Sequence, residues 1–131
     1  MTSEIPTPAL LLPTLGIDID GCIDECPDFF RILTHCWPGR VIVVTYRRDR
    51  GRAEDVLRKY AIRFDELILV STFEAKAEVI REKDIRTYFD DQPEMLKNVS
   101  STTNVMLVRN EGNFDFEDRR WMFSNHTGKK V

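Results

Sequence analysis

The segment Arg40-Val41-Ile42-Val43-Val44-Thr45 constrains the fold more tightly than any other part of the chain. It is an apolar, β-branched run with no polar residue alternating through it, so a strand built from it must be covered on both faces. Sheets covered on both faces are parallel sheets whose crossovers are helices. The rest of the sequence keeps that rhythm. A first strand is expected over Leu15 to Gly21, where glycine meets a sharp turn, and a helix opens at Pro27 and stops before Trp37-Pro38-Gly39. A helix from about Arg52 to Tyr60, a strand at Glu66 to Val70 and a helix from Phe73 to Lys83 follow. The last elements are a strand at Arg86 to Phe89, a short helix opening at Pro93 through Met95 and Leu96, and a strand at Val105 to Val108. The fold class this implies is α/β: a three-layer, doubly wound sheet of about five parallel strands. At 131 residues the chain suits one domain, 1–131, with a proline-punctuated extended lead-in over 1–13 and a C-terminal tail over 112–131. The tail aromatics Phe114, Phe116, Trp121, Met122 and Phe123 read as core or interface cover.

Composition removes several classes of partner. A formal charge of -3 supplies no basic field to draw the chain to nucleic acid or an anionic membrane. The longest apolar runs are far short of the roughly 20 residues that cross a bilayer. Cys22, Cys26 and Cys36 cannot all pair within the chain, and no secretory leader pattern precedes the first strand, so a cytoplasmic setting is expected. Cys22 and Cys26 with His35 and Cys36 match no common zinc spacing and read as buried or loop thiols.

In a doubly wound sheet, ligands bind beyond the carboxyl ends of the strands, near the point where strand order reverses. That rule selects Asp18 and Asp20 after the first strand, Thr45 after the second, Lys76 near the start of the third helix, and Asp90 and Asp91 after the fourth strand. Each has an ordinary reading when taken alone. An aspartate at a strand end is commonly a turn former or helix cap, a threonine a strand residue, and a lysine a solvated helix face. Arg47 and Arg48 follow Thr45 directly and suit either the grip of an acidic substrate group or a solvated, salt-bridged loop.

Taken as a set, these residues resemble the four motifs of the haloacid dehalogenase (HAD) superfamily. Asp18-Ile19-Asp20-Gly21 is similar to the first motif and Val41 to Thr45 to the second. Lys76 and Tyr88-Phe89-Asp90-Asp91 are similar to the third and fourth. The resemblance spans roughly residues 14–108 and implies a HAD-like sheet and a phosphatase chemistry. Asp18 would attack phosphorus and form an aspartyl-phosphate, and Asp20, pointing to the same face of a regular strand, would act as general acid and base with its pKa raised by neighbouring carboxylates. Thr45 would donate to a phosphate oxygen and Lys76 would offset the charge of nucleophile and phosphate. The resemblance implies Mg2+ as cofactor, held by Asp18, the backbone carbonyl of Asp20 and Asp90, with Asp91 reaching it through water. Cys22 departs from the Thr or Val usual at its position in such phosphatases. A thiol is the weaker donor, so Asp20 would be held less firmly.

The intervals from Asp20 to Thr45 and from Thr45 to Lys76 are filled by helix and strand and leave no room for a cap domain. The expected function is therefore Mg2+-dependent phosphomonoester hydrolysis by a capless enzyme, on a small phosphorylated metabolite or nucleotide, with a second copy of the chain available as a lid. Two alternatives stand beside it: a phosphoprotein phosphatase, and a non-catalytic binding domain that keeps the fold.

Overall fold

In a computed structural model, residues 12–92 and 97–108 are described, together with two short strands near the C-terminus. The elements are β1 (Thr14–Ile17), α1 (Pro27–Cys36), β2 (Val41–Thr45), α2 (Arg50–Lys59), β3 (Glu66–Leu69), α3 (Phe73–Glu82), β4 (Ile85–Asp90) and β5 (Asn104–Leu107). The pair β6 (Phe114–Asp115) and β7 (Arg120–Trp121) forms a separate antiparallel ribbon. The helix expected at Pro93, residues 1–11 of the lead-in, and the packing of Phe114, Phe116, Trp121, Met122 and Phe123 lie outside the described residues.

The main sheet has the order β3-β2-β1-β4-β5 and every pairing in it is parallel. This is the doubly wound α/β architecture the unbroken apolar strand implied, and no cap is inserted among the described residues. Successive side chains of β2 serve opposite faces, as the two-residue period of a strand requires. Val41 and Val43 join Leu15, Ile17, Phe30 of α1, and Ala53 and Leu57 of α2 in one core layer. Ile42 and Val44 join Ile80 of α3, Ile85 and Tyr88 in the other. The chain runs outward from β1 to β3 along one face, then returns by α3 across the other face to β4. The reversal of strand order thus falls between β1 and β4, and their carboxyl ends flank the crevice where such sheets bind ligands.

The helix starts follow side-chain caps. Asp49 accepts from the Arg52 amide at 3.1 Å and Thr72 from the Ala75 amide at 2.9 Å, each satisfying a donor that the first turn leaves unpaired. The cap at Asp49 starts α2 two residues before the expected Arg52. At the other end of α1, Arg63 donates to the carbonyls of Thr34, Trp37 and Gly39 at 2.8, 3.1 and 2.9 Å. One guanidinium thus satisfies carbonyls at and beyond the helix end. Replacing it leaves them to water or to nothing, so Arg63→Ala is expected to lower the free energy of unfolding by about 2 kcal/mol in chemical denaturation. The Trp37 indole N–H donates to the Pro13 carbonyl at 3.0 Å and pins the end of the lead-in to the domain.

The main departure from expectation is at β1. The strand stops at Ile17, short of Gly21, and the chain enters a wide turn over Ile19–Ile23 closed by the Asp24 amide on the Ile19 carbonyl. Asp18 caps this turn, its carboxylate accepting from the Ile19 amide at 2.8 Å. Asp18 and Asp20 are therefore not neighbours on one face of a regular strand. Gly21, at φ +80°, makes the reversal.

Candidate functional site

Three carboxylates meet at the strand-order reversal. Asp18 follows β1, Asp90 ends β4 and Asp91 comes next, and one oxygen from each lies within 4.8 Å of the others. All three are buried. The backbone fixes their approach: the Asp18 amide donates to the Phe89 carbonyl at 3.1 Å, which ties the end of β1 to the end of β4.

Lys76 enters from α3 and is fully buried, with Nζ 3.0 Å from Asp90 Oδ2 and 3.4 Å from Asp18 Oδ2. The Tyr88 hydroxyl donates to the same Asp90 oxygen at 3.0 Å, and the Gln92 amide donates to Asp90 Oδ1 at 3.0 Å. Tyr88, which the sequence offers only as part of the fourth motif, stands two residues before Asp90 on β4 and so shares its face.

Burial and mutual repulsion set the protonation of this cluster. Burial pushes the Asp18 carboxyl well above its ordinary range against the pull of Lys76, with Asp90 and Asp91 adding to the rise. Burial, then the Asp90 charge, brings Asp91 up to about 7. Burial alone would lower Lys76, yet Asp18 and Asp90 outweigh it and hold the ammonium above its usual value. The cluster therefore retains protons near neutrality that a cation would displace.

The turn is shaped to admit Asp91. A Cβ at Gly21 would collide with the Asp91 carboxylate, and the positive φ adds strain for any other residue. Gly21→Ala is expected to cost roughly 1–3 kcal/mol from backbone strain, with Asp91 displaced as well. Thermal unfolding without added metal measures the first effect and cation affinity the second. Asp24 fastens the same turn, its carboxylate accepting from the Gly21 amide at 2.9 Å, and burial followed by the Asp20 charge raises its pKa to about 7.

The sequence-selected residues do not all converge. Thr45 is buried at the end of β2, and its hydroxyl accepts from the Arg47 amide at 3.1 Å, which leaves its own proton to donate. Asp91 places a carboxylate oxygen within 4.8 Å of oxygens of Asp18 and Asp90. Asp20 turns the other way. Arg47 donates through Nε and Nη2 to its two carboxylate oxygens at 3.2 and 2.8 Å, a bidentate clasp with both partners partly buried. Both oxygens are occupied as acceptors, which does not suit a group expected to present a proton. Arg48 is exposed. Cys22 is fully buried in the core, where burial and then the Asp18 charge raise its thiol pKa. His35 bonds the Ala61 carbonyl at 2.9 Å, and among the described residues no cysteine joins a metal-ligating group.

Compared with known proteins, the sequence matches no protein-family model and no curated protein. Its fold does match a solved structure. The chain is similar to a universal stress protein, described as a crystal structure in complex with cAMP, at 14% identity and a TM-score of 0.53, over 75% of this chain and 97% of that one. This likeness concerns the fold, a Rossmann-like α/β sheet.

These findings correct the resemblance drawn from the sequence. The structural match is to a universal stress protein and not to a HAD enzyme, and no family model supports the HAD assignment, so the Mg2+-dependent phosphatase function inferred from it is withdrawn. The physical reason lies in the topology. Any doubly wound sheet gathers polar residues at its carboxyl strand ends, so an ordered set of aspartates, a threonine and a lysine there reports where a ligand site lies and not which chemistry it performs.

Proposed function

We propose that the chain is a binding domain for a small nucleotide, whose phosphate is held beside a divalent cation at the carboxyl ends of β1 and β4. The observation that carries the reading is the buried Asp18–Asp90–Asp91 cluster at the strand-order reversal. Once their protons are displaced, three carboxylates facing the Lys76 ammonium carry an excess of negative charge in a desolvated site, and burial of such a charge is costly unless it is paired. A divalent cation matches that excess, and a small all-oxygen donor set suits Mg2+, which keeps several of its waters. The space that only glycine leaves at position 21 lets Asp91 complete the set. Asp18, Asp90 and Asp91 would hold the ion, and the ion supplies the positive charge that a phosphate needs. Thr45, with a proton to donate, and Lys76 stand at the same carboxyl end of the sheet.

Two further points support binding. A protein of the same fold has been solved with cAMP, and the Arg47 clasp on Asp20 favours retention of a ligand over proton transfer to it. Three free cysteines suit a reducing cytoplasm. Among the described residues no helix is long and apolar enough to cross a membrane.

The test is an amide NMR titration with AMP and with cAMP, in the presence of Mg2+, alongside an assay for released phosphate. Shifts confined to Asp18–Gly21, Thr45–Arg47 and Asp90–Gln92 with the ligand intact are the expected result. Shifts elsewhere, or consumption of the nucleotide, contradict it.

A further inference from the structure

Next to the carboxylate cluster stands a pair of aromatic rings that the fold does not require. Phe73 is the first residue of α3 and is 46% exposed. Thr72 already caps that helix, and a first-turn position has little need of a large apolar side chain. Tyr46 follows Thr45 at the end of β2. Its ring centroid lies 5.8 Å from that of Phe73, at an interplanar angle of 57°, and Lys76 Nζ lies 4.7 Å from the Tyr46 centroid.

Position on the helix explains the arrangement. Phe73 and Lys76 are three residues apart and share one face of α3. The ammonium reaches inward to Asp18 and Asp90, the phenyl ring stays outside, and Tyr46 lies against both. Aromatic surface therefore lies between the buried Lys76 ammonium and the exposed ring of Phe73. A second observation sets Tyr46 apart: its hydroxyl oxygen is buried and, among the described residues, has no hydrogen-bond partner. An orphaned buried hydroxyl costs free energy that a phenylalanine here would avoid, so packing alone does not account for a tyrosine beside the site.

We propose that Phe73 and Tyr46 form the platform on which the base of the bound nucleotide stacks. This rests on the nucleotide-binding reading above and adds to it which part of the ligand supplies selectivity. Stacking draws on the π-face that every base presents. The platform therefore separates nucleotides from sugar phosphates while discriminating little between bases. It also gives Phe73 a role that folding does not.

The experiment is calorimetric titration of the full chain, with Mg2+ present, using AMP, GMP and ribose 5-phosphate against wild type, Phe73→Ala and Phe73→Trp. Wild type is expected to bind AMP and GMP roughly 10- to 100-fold more tightly than ribose 5-phosphate, the range that stacking of one base supplies. Phe73→Ala should erase that advantage by weakening the nucleotides alone, and Phe73→Trp should restore it. If wild type binds ribose 5-phosphate as well as AMP, or Phe73→Ala keeps full affinity for AMP, the platform is refuted while the phosphate site stands. Equal weakening of all three ligands by Phe73→Ala also refutes it. Failure of every ligand to bind wild type overturns the nucleotide reading and the platform together.

Discussion

Replacing Lys76 by Met is expected to destabilise the chain by about 3–5 kcal/mol near neutral pH, the usual consequence of removing one partner from a buried ion pair. Nζ lies against Asp18 and Asp90 with no solvent access, so the substitution leaves carboxylates facing one another without their cation. Methionine keeps the length and apolar stem of the side chain, and the loss is therefore electrostatic more than steric. Denaturant titration at about pH 8 and about pH 5 separates the two causes. At the lower pH the stranded carboxyls can take up protons, and most of the deficit should vanish. An equal deficit at both pH values would mean that packing, not charge, is what Lys76 contributes.

The second large effect is the pH dependence of cation binding. Asp91 titrates in the folded chain at about 7, against 3.8 for an ordinary aspartate, and Asp24 is raised to a similar value. In the interval between those values the folded state binds protons that the unfolded state has already released. Without metal, these two groups make stability fall as pH rises from about 4 towards about 7. A cation acts in the opposite sense, because it competes with the proton on Asp91. Mg2+ affinity should therefore climb with pH, by up to about tenfold per unit below the Asp91 value, and level off above it. Calorimetry at about pH 6 and about pH 8 should show about a tenfold difference that Asp91→Asn largely removes. Affinity independent of pH would place the cation elsewhere.

The fold was legible because its signals were local and agreed with one another. The unbroken run Val41 to Val44 demanded cover on both faces, and helix starts and stops fell near Pro27, Trp37 and Phe73. The site was legible as a location. Asp18, Thr45, Lys76, Asp90 and Asp91 all stand at the carboxyl side of the sheet, as parallel topology requires. The partnerships were not legible. Whether Asp20 would turn towards Asp18 or towards Arg47 depends on Gly21 adopting a positive φ and on β1 ending at Ile17, which a spacing of two residues does not encode. The same limit explains the mistaken assignment to the HAD phosphatases. Short polar matches at strand ends are imposed by the architecture, so their order carried less information about chemistry than it did about fold. Tyr46 was passed over because its meaning lies in Phe73 and Lys76, which are distant in sequence from it.

That the Asp18–Asp90–Asp91 cluster holds a cation to which a nucleotide phosphate is drawn is the proposal on which the function rests. It is tested most directly by titrating AMP into three samples: wild type with Mg2+, wild type with excess chelator, and Asp90→Asn with Mg2+. Saturable binding is expected in the first sample, with most of the affinity lost in the other two. Equal affinity in all three, or binding that survives chelation undiminished, would contradict it.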